Sequence, residues 1–175
     1  MQLVYTCLCL AECIVIIAQQ KYEFSQANPI DLQFTLTFFF GCIATYSGAL
    51  LRFWCFRELG RFFTFDFSIR KEHKLITSGP YAYVRHPSYT GYLMNVLGFL
   101  LCSFTRGSLV REWQMLWASP VMVLVVGVLA LLRIARAFYV FERARMEDEG
   151  LEKEFGRKWG VWAGKVRYRI LVGVF

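Results

Sequence analysis

The sequence predicts an all-α, polytopic integral membrane protein with about four membrane helices, and three observations carry that reading. Hydrophobic residues make up 57% of the 175-residue chain and aromatic ones 18%, beyond the usual balance of a soluble domain. Apolar runs recur at residues 2–18, 32–51, 89–104 and 115–132, each approaching the roughly 20 residues that cross hydrocarbon. Lys and Arg flank these runs and bring the formal charge to +7. That distribution speaks for orientation in a membrane and against a nucleic-acid partner.

The first run has no basic region before it and contains Glu12, so it reads as a retained membrane segment rather than a cleaved leader. Glu12 itself reads as a carboxyl bonded across a helix interface. The connection at 19–31 carries Asn28-Pro29 as its turn signal and Lys21 as its sole basic residue. Residues 52–74 interleave Arg52, Arg57, Arg61, Arg70, Lys71 and Lys74 with seven aromatic residues, a pattern suited to the membrane surface. The third run is short and fits either a crossing or one arm of a re-entrant hairpin with the fourth.

Counting Lys and Arg gives six in 52–74, Arg85, and ten in the tail after residue 132, against three in the other two connections. The positive-inside rule therefore puts 52–88 and 133–175 in the cytosol. Six cysteines at 7, 9, 13, 42, 55 and 102 contain no CxxC pair, so neither a metal site nor a disulfide framework is indicated.

The chemistry concentrates at Gly79-Pro80-Tyr81 and Arg85-His86-Pro87-Ser88-Tyr89-Thr90-Gly91. Pro87 restrains His86 from the α region and suits a first helical position, so a helix is expected to begin at Pro87 with His86 as its cap. His86 is then expected at an exposed helix end, with the N–H groups of Ser88 and Tyr89 free for an anion. In the tail, 131–155 reads as one helix, with Gly150 as a kink or break. Arg143 and Glu147 are four apart and share one face. An ordinary surface ion pair explains such a pair equally well and stabilises by about 0.2–0.5 kcal/mol.

The stretch His73-Lys74-Leu75-Ile76-Thr77-Ser78-Gly79-Pro80-Tyr81, followed by residues 85–91, resembles the central motif of the isoprenylcysteine carboxyl methyltransferase family. Part of it is shared with phospholipid N-methyltransferases. The tail is similar to the family's C-terminal pattern through Glu147-Asp148, Leu151, Phe155-Gly156, Trp159, Trp162 and Arg169-Ile170. It lacks the proline after the final pair and has Trp159 and Trp162 where tyrosines are usual. The specific likeness runs from about residue 53 to the end of a single membrane methyltransferase domain.

The resemblance implies S-adenosylmethionine as cofactor, in a cytosolic pocket formed by the 73–91 segment and the C-terminal helix. It implies His73, Leu75, Ile76, Tyr81, His86, Pro87, Ser88, Tyr89 and Glu147 as cofactor-binding residues. Arg143 takes the catalytic and substrate-binding place, because a guanidinium can grip a carboxylate with two parallel bonds. The implied substrate is a prenylated cysteine entering from lipid, and the implied location, in a eukaryote, is the endoplasmic reticulum membrane. Two other readings stand beside it: N-methylation of an ethanolamine phospholipid, and a non-enzymatic membrane scaffold whose aromatic and basic motifs are interfacial anchors.

Overall fold

The computed structural model describes residues 34–63, 74–112 and 118–173, together with Leu10, Cys13, Ile14 and Ile17. His73, Glu12, most of the first apolar run, the 19–31 connection, residues 64–73 and the start of the fourth run lie outside the described residues. The described chain is helical, without strands. It runs α1 (Leu36–Leu59) with a 3₁₀ turn at Gly60–Phe62, a second 3₁₀ turn at Gly79–Ala82, α2 (Pro87–Phe104), α3 (Leu109–Glu112), α4 (Pro120–Phe155) and α5 (Arg157–Lys165).

Two helical stretches, Leu36–Phe62 and Pro120–Phe155, are long and apolar enough to cross a membrane. In the second, none of the most apolar window is buried, and Val121, Leu124 and Leu131 stand more than 60% exposed. Apolar side chains left so far from protein partners suit a hydrocarbon surround. Helix α2 starts at Pro87, as the proline argument requires. Helix α4 runs unbroken through Gly150 and stops after Phe155, where Gly156 takes φ 49°. The left-handed backbone at Gly156 does what was expected of Gly150, since only glycine enters that region without a Cβ penalty.

The chain divides into two compact units, one of Met1–Ala49 with Met94–Ala135 and one of Leu50–Leu93 with Arg136–Phe175. In the first, α1 and α2 approach at small residues: a Cβ on Gly98 would lie 2.4 Å from Thr45 Oγ1 and 2.5 Å from the Gly41 carbonyl. Close backbone approach at glycine is a common way for apolar helices to pack without a hydrophobic driving force. Phe38 and Cys102 are buried in the same unit, and the Thr35 and Thr105 hydroxyls bond at 3.1 Å.

The second unit contains two apolar clusters. One joins Cys55, Tyr81, Trp162 and Val166 with Leu75 and Ile76 packed against them. The other joins Val140, Ala144 and Ile170 with Tyr89, Tyr92 and Leu93. The turn at Gly79 makes the first cluster possible. Gly79 takes φ 59°, Ser78 donates its hydroxyl to Glu58 on α1, and the chain then delivers Tyr81 inward at 8% exposure.

Candidate functional site

The site is assembled within the second unit by pairing the 83–90 segment with the irregular segment after α5. The backbone N–H of Arg85 donates to the Tyr168 carbonyl at 3.0 Å and that of His86 to the Arg169 carbonyl at 2.8 Å. The Arg85 guanidinium adds bonds from Nε to the Val166 carbonyl and from Nη2 to the Arg167 carbonyl. Thr90 donates its hydroxyl to the Ile170 carbonyl. These bonds satisfy main-chain groups that no regular element serves, and they fix the motif against the tail.

His86 then sits between two carboxylates of α4. Its Nε2 lies 2.9 Å from Asp148 Oδ1 and its Nδ1 3.4 Å from Glu147 Oε2. Asp148 also accepts from Arg85 Nη1 at 2.7 Å and from Arg169 Nε at 3.0 Å. Glu147 accepts from Arg143 Nε at 3.1 Å and from the Tyr89 hydroxyl at 2.5 Å, and the Tyr89 ring stacks on His86 with centroids 5.6 Å apart. Successive residues of a helix face directions about 100° apart. Glu147 and Asp148 therefore present different sides, and the imidazole bridges them.

This corrects the expectation that His86 stands exposed at its helix end: it is 7% exposed and locked in a buried ionic network. The N–H of Tyr89, expected to be free, bonds the His86 carbonyl at 3.0 Å, so the helix end offers fewer open donors than the cap geometry alone implied. Asp148, whose role the sequence left open, is bonded by three partners, as Glu147 is, and is 3% exposed. Arg85 and Arg169 are its other partners.

Burial favours the neutral form of His86, but its hydrogen bonds to Asp148 and Glu147, and their charges, outweigh that and hold the imidazolium above the ordinary value of 6.5. A histidine raised in the folded state contributes stability fully below its unfolded value, and loses it as pH rises through the folded value. The melting temperature is therefore expected to decline from mildly acidic toward alkaline pH. His86→Gln should flatten that decline, and an equal slope in the variant would remove His86 as its source. Tyr81 is held above the ordinary tyrosine range, first by burial and then by the neighbouring Cys55, so it stays a neutral phenol.

A cavity of about 500 Å³ opens beside this network, a size typical of small-molecule sites. It is lined by the expected residues Leu75, Ile76, Tyr81, His86, Ser88, Tyr89, Arg143 and Glu147. Pro87 is fully buried behind the lining, and His73 lies outside the described residues. Residues that sequence reasoning did not place there include Arg52, Arg136, Tyr139 and Trp162. Glu147 is the sole carboxylate among the lining residues, against Arg52, Lys74, Arg85, Arg136 and Arg143.

Three enclosed donors of this unit, Arg52 Nε, Trp159 Nε1 and Trp162 Nε1, have no acceptor among the described residues. Such groups cost about 1–3 kcal/mol each when left unmade. A cavity with surplus positive charge and apolar walls suits a ligand with an anionic end and an apolar portion. S-Adenosylmethionine carries such an anionic end in its carboxylate, and its adenine ring suits the apolar and aromatic walls. Glu147 is less open than the sequence implied, because three of the roughly four acceptor positions of a carboxylate are taken by His86, Tyr89 and Arg143.

Comparison with known proteins agrees with the motif. The protein Protein-S-isoprenylcysteine O-methyltransferase B of Arabidopsis thaliana is 30% identical over 129 residues, which cover 73% of this chain and 55% of the relative. The chain thus spans about half the length of the curated relative it matches. No solved structure matches significantly. A model of the isoprenylcysteine carboxyl methyltransferase family matches residues 40–118, a stretch that contains most of α1, the Gly79 turn and the whole Arg85–Gly91 motif, and over those residues this chain resembles that family.

Proposed function

We propose that this protein transfers a methyl group from S-adenosylmethionine to the carboxylate of a prenylated cysteine, within a membrane and with its polar cavity facing the cytosol. The observation that supports this most is the cavity's charge. Five cations and one engaged carboxylate line it, which favours an acceptor that arrives as an anion. An ethanolamine headgroup arrives as a cation, must lose a proton, and would need a free base that Glu147 does not offer.

The donor would supply an electrophilic methyl on a sulfonium, whose departure as a neutral thioether needs no acid. The protein's task is then to hold two reactants in line, and positioning carries the rate. Leu75, Ile76 and Tyr81 form the apolar wall, and Ser88 offers polar atoms at the helix start. His86 and Tyr89 orient Glu147, and Glu147 in turn orients Arg143 through Nε. Arg143, with its side chain 30% exposed, would meet the acceptor's carboxylate while an isoprenoid stayed in hydrocarbon. The carboxylate is already a nucleophile, so no base is required.

Purified protein with a labelled methyl donor, offered farnesylcysteine analogues and ethanolamine lipids side by side, tests this. Label in the prenylcysteine alone is the expected result. Label in the ethanolamine lipid would replace this reading with the phospholipid one, and no transfer to either would favour a scaffold.

A further inference from the structure

Of the five cations lining the cavity, two are neutralised on the spot: Arg85 by Asp148 and Arg143 by Glu147. Arg52 is held differently. It extends from α1 to the first turn of α2, where its Nη1 donates to the Ser88 carbonyl at 3.3 Å. Its Cζ lies over the Phe56 and Tyr92 rings, at 5.2 and 5.9 Å from their centroids. Among the described residues its enclosed Nε has no acceptor, and no carboxylate lies within ion-pair distance. Arg136 also lines the cavity and lies near enough to Tyr92 for its charge to act on that hydroxyl.

This arrangement has the character of a prepared anion site. A guanidinium held beside two aromatic rings keeps its charge and loses some of its freedom. With Nη1 bonded to the Ser88 carbonyl and Nε enclosed, Nη2 is the nitrogen left for a ligand anion, through a charge-assisted bond. A half-buried guanidinium without a counter-charge is costly, and an anion in the cavity beside it offsets that cost.

We propose that Arg52 binds a ligand carboxylate in this cavity, with Arg136 as a supporting charge, at a position separate from Arg143. The nature of the ligand rests on the methyltransferase reading, which supplies two carboxylates: that of the prenylated cysteine and that of the donor's amino-acid end. One chemistry serves both, and the two are separable by binding.

The test measures affinities of the full chain in nanodiscs for two matched pairs. N-acetyl-S-farnesylcysteine is compared with its neutral carboxamide, and S-adenosylhomocysteine with its decarboxylated analogue. Wild-type protein is expected to prefer the acid in at least one pair. Arg52→Gln should reduce that preference by about tenfold or more, and Arg52→Lys should restore it in part. Loss confined to the farnesyl pair assigns Arg52 to the acceptor, and loss confined to the nucleoside pair assigns it to the donor. Thermal melts accompany both variants, and if Arg52→Gln does not fold, Arg52→Lys carries the comparison, because an ammonium cannot reproduce the geometry of a guanidinium.

Unchanged acid preference in both pairs overturns the proposal, as does a wild type indifferent to the carboxylate. A lost acid preference without methyl transfer would instead retain Arg52 as an anion site and remove the methyltransferase reading. Transfer to prenylcysteine with an Arg52→Gln preference equal to wild type would do the opposite.

Discussion

Asp148→Ala is expected to be the most destabilising single change in the second unit. The substitution removes one carboxylate from three partners at once, leaving Arg85, Arg169 and His86 with charges or donors that face each other across a buried space. Removing one member of a buried ion pair costs about 3–5 kcal/mol, chiefly because the partner's charge is left uncompensated. For a protein of this length that corresponds to a fall of roughly 6–20 °C in melting temperature. Asp148→Asn keeps the shape and one acceptor oxygen, so it should fall between Ala and wild type. Melts in detergent or nanodiscs distinguish the cases. A loss below about 1 kcal/mol for Asp148→Ala would mean that the cluster behaves as a solvated surface network, despite its 3% exposure.

The same residue shows where sequence reasoning stops. The start of α2 was legible because Pro87 and His86 act locally, through dihedral limits that any chain obeys. So was the end of α4 near Phe155, although the break falls at Gly156 rather than Gly150, since both glycines are compatible with a helix end and packing chooses between them. The face shared by Arg143 and Glu147 follows from helical spacing, and the ion pair is there at 3.1 Å. The membrane character was legible in composition, and two apolar helices of spanning length agree with it.

What was not legible is the burial of His86. Its environment depends on main-chain bonds to Tyr168 and Arg169, and on carboxylates about 60 residues away. A helix cap at a lipid boundary reads as exposed until the tail is laid over it. Arg85 was hidden for the same reason: its partners are the carbonyls of Val166 and Arg167 and the carboxylate of Asp148. The available signal was the final Arg169-Ile170 pair, an arginine beside an apolar residue that the family pattern also carries. Ile170 is fully buried and Arg169 meets Asp148.

Arg143→Lys and Glu147→Gln should separate, although a simple ion pair would make them equivalent. Arg143 is the more exposed of the two, at 30% against 17% for the side chains, and it faces the cavity. Lysine keeps the charge and the helix, so the melting temperature should move little. The planar fork is lost, however, and kcat/KM for the prenylcysteine should fall by about tenfold or more, with donor affinity almost unchanged. Glu147→Gln acts on the framework instead. An amide can no longer receive charge-assisted bonds from Arg143 and His86 together with the Tyr89 hydroxyl, and its NH₂ group presents a donor where donors already converge. Both the melting temperature and S-adenosylhomocysteine affinity are therefore expected to drop, and Arg143 should lose its orientation as a consequence. Kinetics at saturating and limiting donor, with melts of each variant, provide the contrast. If both variants stay active and lose only a few tenths of a kcal/mol of stability, then the pair is a surface salt bridge at the mouth of a cavity, and the carboxylate is met by another cation.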